Sequence, residues 1–296
     1  MALWENVRYD HFGRTFGPGE GRSAVAEFLV IHQTDASLLP CLLHRLKGRA
    51  SLGPAENAAG VGYFQSDDVL VRKRPLGGQA PLPEKLAEGV DSEAVVVTSG
   101  SLSRAFKEEA TLPFRFKRWL FAVAGQPDQL APAKAPLTAA LPDSLRRAAR
   151  GESAAEAILL TFLSRLRDAG RLDDVDVDAE TAARSLAAAV GEAERAFEQA
   201  GQRLPALAAV VSNGRVIGAV RRGHPLRVGN VDGLAECAVH EVGPNSKEMD
   251  PRVRAHRVLR AVALLSGAQE NAPDGFREVA DGEVLAIPRT LRPQKI

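Results

Sequence analysis

The middle of this chain is helical and its two flanks are not, and that order limits the folds open to it. Ser153 to Ala169 carries Ala157, Leu160, Thr161 and Leu163-Ser164 around a broad apolar face, with Gly170 suited to a C-cap. Asp178 to Ala200 is rich in Ala and Glu, with Asp178 as N-cap and Gly201 as stop. These stretches predict an adjacent helix pair. Short β-type runs stand on either side of it. Upstream, Phe28-Leu29-Val30-Ile31, Ala94 to Thr98 and Arg118 to Val123 read as strands. Gly60-Val61-Gly62-Tyr63-Phe64 and Val69-Leu70-Val71-Arg72-Lys73 flank the polar Ser66-Asp67-Asp68 and predict a hairpin. Between them, Leu38, Leu39, Leu42, Leu43 and Leu46 have helical spacing. Downstream, Leu207 to Val211 and Val216 to Val220 flank Ser212-Asn213-Gly214-Arg215, and Asn-Gly between two β runs is a strong hairpin signal. Val258 to Leu265 and Val284 to Ile287 read as closing strands. Sheet, helix pair, sheet predicts an α+β domain with two mainly antiparallel sheets between helical layers.

Composition narrows the function classes. The chain has 296 residues, 45% of them hydrophobic, enough for a sizeable core. Lys and Arg number 38 against 37 Asp and Glu, so no basic surplus points to nucleic acid as a partner. Met1 to Arg22 is polar and Gly-rich without an apolar signal core, and no apolar run reaches bilayer length. The expectation is a cytoplasmic protein with no membrane partner. Cys41 and Cys237 stand far apart in the sequence and make a weak case for a disulfide framework or a zinc site. The six histidines (His11, His32, His44, His224, His240 and His256) lack metal-site spacing, so each reads as a surface or packed residue. No metal and no cofactor are expected.

One segment carries more information than its periodicity. Leu112-Pro113-Phe114, a short turn, then Arg118-Trp119-Leu120-Phe121-Ala122-Val123-Ala124-Gly125 resembles a stretch of the class II glutamine amidotransferases. There it reads His-Pro-Phe, a turn, Arg-Trp-Leu-Phe-Ala and His-Asn-Gly. Gly60 to Phe64 resembles that family's Gly-Trp-Gly-Ile-Gly-Trp-Tyr strand, and Leu207 to Val220 its late hairpin. Val258 to Ser266, Phe276 to Val279 and Gly282 to Leu285 resemble its C-terminal end. The resemblance covers most of residues 27–290. It implies the N-terminal-nucleophile hydrolase fold, a four-layer αββα sandwich, with 1–26 as an N-terminal extension and 27–296 as the domain.

The same resemblance implies that the chemistry is gone. The family's nucleophile is a Cys that follows the initiator Met and uses its own α-amino group as base. Here Ala2 follows Met1, and the stretch that resembles the family's start puts Glu27 at the nucleophile position. The family's Arg clamp on the glutamine carboxylate corresponds to Ser99, within Ser99-Gly100-Ser101-Leu102, and an alcohol cannot replace a bidentate guanidinium. The oxyanion Asn corresponds to Ala124, leaving Gly125 with a backbone N–H alone. The family's first His is Leu112, and the Asp that holds the substrate amine is Ala154. The expectation is a catalytically inactive relative that serves as a binding or assembly protein, as a homo-oligomer or beside a partner enzyme. The alternatives are an amidohydrolase or amidotransferase with altered active-site residues, drawing on Glu27, Ser99 and Ser101, or a small-ligand sensor using the vestigial pocket.

Other motifs have plain readings. Gly17, Gly19 and Gly21 lack the Lys and preceding strand of a phosphate loop. Asp174, Asp176 and Asp178 resemble the start of a calcium loop but lack its Gly and closing Glu, and read as a solvated turn. Arg221-Arg222-Gly223-His224 and Arg252 to Arg260 read as solvated strand or turn edges, with an anion site as the sharper alternative. Self-cleavage after Arg22, which would make Ser23 a new N-terminus, is a further alternative.

Overall fold

Period-two alternation along the strands sorts the apolar residues into layers. The computed structural model describes residues 25–47, 52, 58–66, 68–76, 82–100, 106–151, 153–267 and 274–296. Its strands are β1 (Glu27–Gln33), β2 (Ala58–Gln65), β3 (Asp68–Pro75), β4 (Ala94–Ser99), β5 (Phe114–Phe116), β6 (Trp119–Gly125) and β7 (Leu207–Ser212). They continue with β8 (Ile217–Arg222), β9 (Leu226–Asp232), β10 (Arg260–Ser266), β11 (Phe276–Glu278), β12 (Val284–Ile287) and β13 (Gln294–Lys295). The helices are α1 (Leu39–Leu46), α2 (Pro83–Leu86), α3 (Ala131–Ala140), α4 (Asp143–Arg146), α5 (Ala154–Asp168), α6 (Ala179–Gln199) and α7 (Pro251–Val258).

A seven-stranded antiparallel sheet has the order β11-β9-β10-β1-β4-β2-β3, and a six-stranded one has β13-β12-β8-β7-β6-β5. Phe28 and Val30 of β1 face Leu120, Ala122 and Ala124 of β6 in the core between the sheets. Leu29 and Ile31 point the other way, under Leu39, Leu42 and Leu46 of α1 and Val253 of α7. Phe121 and Val123 of β6 turn toward α3, α5 and α6, where Trp119 meets Phe162 edge-on at 4.9 Å. The result is the expected αββα sandwich.

Local signals set most boundaries. The Ser153 hydroxyl accepts from the Glu156 N–H at 3.1 Å and opens α5, and the Asp178 carboxylate accepts from the Thr181 N–H at 2.7 Å and opens α6. Gly170 and Gly201 close these helices at positive φ. Asn213 caps the β7–β8 hairpin by accepting from the N–H groups of Arg215 and Val216.

Two expectations are corrected. Val258 ends a helix and does not begin a strand, and the stretch Arg252 to Arg260 is mostly α7, not a strand or turn. The reason is local: the Asp250 carboxylate accepts from the Arg252 N–H at 2.8 Å, and Pro251 occupies the first turn. The helix pair also has a third companion, α3, which packs against both α5 and α6.

Candidate functional site

Of the seven residues singled out in the sequence six are described, and they go to different places in the packing. Glu27 and Ser99 are cross-strand partners in β1 and β4. Both are buried, on the strand faces that carry Leu29 and Val97. The Glu27 carboxyl lies across Gly267, where a Cβ would come within 2.2 Å of Oε1. The Ser99 hydroxyl is buried and has no hydrogen-bond partner among the described residues. Ser101 lies outside the described residues, as do Ser23 and the glycines at 17, 19 and 21.

Gly125 ties the two sheets together. Its N–H donates to the Ala26 carbonyl at 2.9 Å, and its own carbonyl accepts from the Ala26 N–H at 2.9 Å. Its φ is +114°, and a Cβ there would meet the Ala206 carbonyl oxygen at 2.3 Å, so geometry alone demands glycine. Ala124 points into the core between the sheets and is fully buried. Leu112 and Ala154 belong instead to the apolar layer beneath α3, α5 and α6, together with Ala26. Three side chains of the set are thus core packing on two different faces.

The retained framing residues have packing work of their own. A Cβ on Gly60 would sit 2.0 Å from the Leu112 carbonyl oxygen, and one on Gly62 would meet the Leu120 methyls at 2.8 Å. Gly-Xaa-Gly, Pro-Phe and Trp-Leu-Phe are therefore one interlocked contact. Ser153 and Glu156 act as a helix start, since the Glu156 carboxylate accepts from the N–H groups of Arg150 and Gly151, both at 2.8 Å.

Clefts of about 440 and 420 Å³ open at the opposite end of β1, lined by residues such as Ser92, Arg118 and Asn213 in one and His32, Glu93 and Arg289 in the other. Neither is lined by any of the six described residues of the set. His32 is packed between the sheets with Nε2 2.8 Å from the Ser212 hydroxyl, and burial pushes its pKa down to about 3. The acidic turn at 174–178 is occupied by arginines: Arg171 pairs with Asp174 and Asp178, and Arg215 and Arg289 with Asp176. Three members of the basic clusters are paired too, Arg221 with Glu278, Arg222 with Glu194 and Arg257 with Glu248.

A second constellation was missed in the sequence. Cys41 of α1, Cys237 and His240 of the connector after β9, and His256 of α7 converge, with one ligand atom from each within 4.8 Å of all the others. Cys41 Sγ lies 3.2 Å from His240 Nδ1 and 3.5 Å from His256 Nε2, and those two nitrogens are 3.3 Å apart. Burial, and then the neighbouring Cys237, pushes the Cys41 thiol up to about 12. The available signal was the two-residue spacing of Cys237 and His240; the other two members come from distant segments.

No protein-family model and no curated protein sequence matches the chain. Among solved structures, a glutamine aminotransferase class-II domain protein from Silicibacter pomeroyi aligns with a TM-score of 0.54 at 16% identity, covering 91% of this chain and 99% of that one. A predicted glutamine amidotransferase from Pseudomonas aeruginosa gives 0.47 at 13% identity, over 93% and 99% of the two chains. The phosphoribosylpyrophosphate amidotransferase of B. subtilis gives 0.43 at 14% identity, over 91% of this chain and 49% of its own. The fold assignment rests on the first of these. The architecture is that of the class II glutamine amidotransferase domain, an N-terminal-nucleophile hydrolase fold.

Proposed function

We propose that this chain is a class II glutamine amidotransferase-like domain without glutaminase chemistry, acting as a binding or assembly protein. It would work as a homo-oligomer or beside a partner enzyme, with no part played by nucleic acid or membrane. The observation that carries the reading is the Gly125–Ala26 pair. Gly125 holds the one backbone donor left at the oxyanion position, and that N–H is already given to the Ala26 carbonyl. Ala26 also precedes Glu27 in the chain, so in this structure the residue at the nucleophile position presents a peptide nitrogen and a carboxyl. A sensor would need an open cleft beside Ala124 and Gly125, and both residues are buried. In an assay with glutamine and a γ-glutamyl amide, the purified chain is expected to release neither ammonia nor glutamate above a blank. Release above the blank overturns the reading.

One observation favours altered chemistry instead: Ser99, whose buried hydroxyl has no hydrogen-bond partner among the described residues, is the cross-strand partner of Glu27. An amide hydrolysed by the wild type, and not by Ser99→Ala or Glu27→Gln, would establish that alternative.

A further inference from the structure

The connector from β9 to α7, residues 233–250, runs without a helix or a strand. Connectors of this length without regular structure are uncommon in compact domains unless something organises them. Here an isolated bridge folds the middle of the segment back on itself. The Cys237 N–H donates to the Val242 carbonyl at 2.8 Å, and the Val242 N–H returns a bond at 3.0 Å. Glu241 turns the chain at φ +54°. This knuckle presents Cys237 and His240 together toward α1 and α7.

We propose that Cys41, Cys237, His240 and His256 form a structural tetrahedral site for zinc. Metal–sulfur bonds of about 2.3 Å and metal–nitrogen bonds of about 2.0–2.1 Å make a tetrahedron with edges of about 3.4–3.8 Å. Three of the edges, 3.2, 3.5 and 3.3 Å, need adjustments of only a few tenths of an ångström.

The outer contacts agree. His256 Nδ1 lies 2.7 Å from the Arg252 carbonyl oxygen, one helical turn back, so Nδ1 holds the proton and Nε2 turns a bare lone pair on the cluster. That arrangement is the usual companion of a metal-bound imidazole. Two thiols and two imidazoles select zinc over magnesium or calcium, which take oxygen ligands. Binding releases the two thiol protons to solvent and leaves a dithiolate–dication site of zero net charge. A neutral complex suits this place, because Cys41, Cys237 and His256 are buried and His240 half-buried. Four protein ligands leave no open position, so the role is structural. The metal would pin the knuckle and α7 to α1 over the outer face of the seven-stranded sheet.

The site is independent of the amidotransferase-like pocket, and so is its test. Protein purified without chelator from zinc-supplemented medium is expected to hold about one zinc per chain by mass spectrometry of the metal. Chelator should remove that zinc and lower the melting temperature, and zinc should restore it. Cobalt exchanged into the wild-type chain should give thiolate-to-metal charge transfer and the intense visible bands of a tetrahedral site. His240→Ala removes the half-buried ligand and should abolish zinc retention while the chain stays folded by circular dichroism. Absence of metal together with no thermal response to zinc overturns the proposal. So does a Cys41–Cys237 disulfide, seen as a loss of two hydrogens in fresh protein, or a cobalt spectrum without charge transfer.

Discussion

His32 shows how a single residue can set a property of the whole chain. It is buried between the sheets, and its imidazole stays neutral down to a pKa of about 3, against 6.5 when unfolded. Between those values the unfolded chain binds a proton that the folded chain refuses. Stability is therefore complete above about pH 6.5 and falls as the pH drops toward 3, by up to about 1.4 kcal/mol per pH unit. Urea melts across pH 4–7 are expected to show a shallower decline for His32→Gln than for wild type; equal slopes would mean that other groups govern acid sensitivity. The sequence pattern ends its strand at Ile31 and leaves His32 as a surface or packed residue, whereas β1 runs on through it to Gln33. The partner Ser212 is remote in the chain and came to light only in the structure.

Among the helices, α5 and α6 were the most legible. Ser153 and Asp178 announce α5 and α6, and each side chain does accept the N–H that its position implies. Ser153→Ala and Asp178→Ala are each expected to cost about 1 kcal/mol. Chemical denaturation should show a lower midpoint with an unchanged slope, and no change would mean that packing of α5 and α6 sets their ends. α7 was less legible. Its apolar content is low, its Arg-rich sequence reads equally well as an edge, and its start depends on Asp250 and Pro251 together. The strand β9 carries Gly229 and Asn230 within its apolar run, which blurs its period of two.

At the scale of the molecule, stability should concentrate in the layer between the sheets. Phe28 is fully buried there. Phe28→Ala is expected to cost about 3–5 kcal/mol. A small loss in denaturation would show that the two sheets are held chiefly by their helical coverings. Among the described residues no helix is long and apolar enough to cross a membrane.

The sequence by itself determined the layers, because periods of 2 and 3.6 residues are written locally and each strand face must find an apolar neighbour. It also carried the framing glycines, prolines and aromatics, whose packing tolerates little else. Only the tertiary structure decided what meets at the ends of strands and between layers. It gives the Gly125 N–H to Ala26, turns Ala124 and Leu112 to opposite faces of the second sheet, and gathers Cys41, Cys237, His240 and His256 from three separate segments. Such meetings depend on how distant segments pack, and spacing along the chain does not record them.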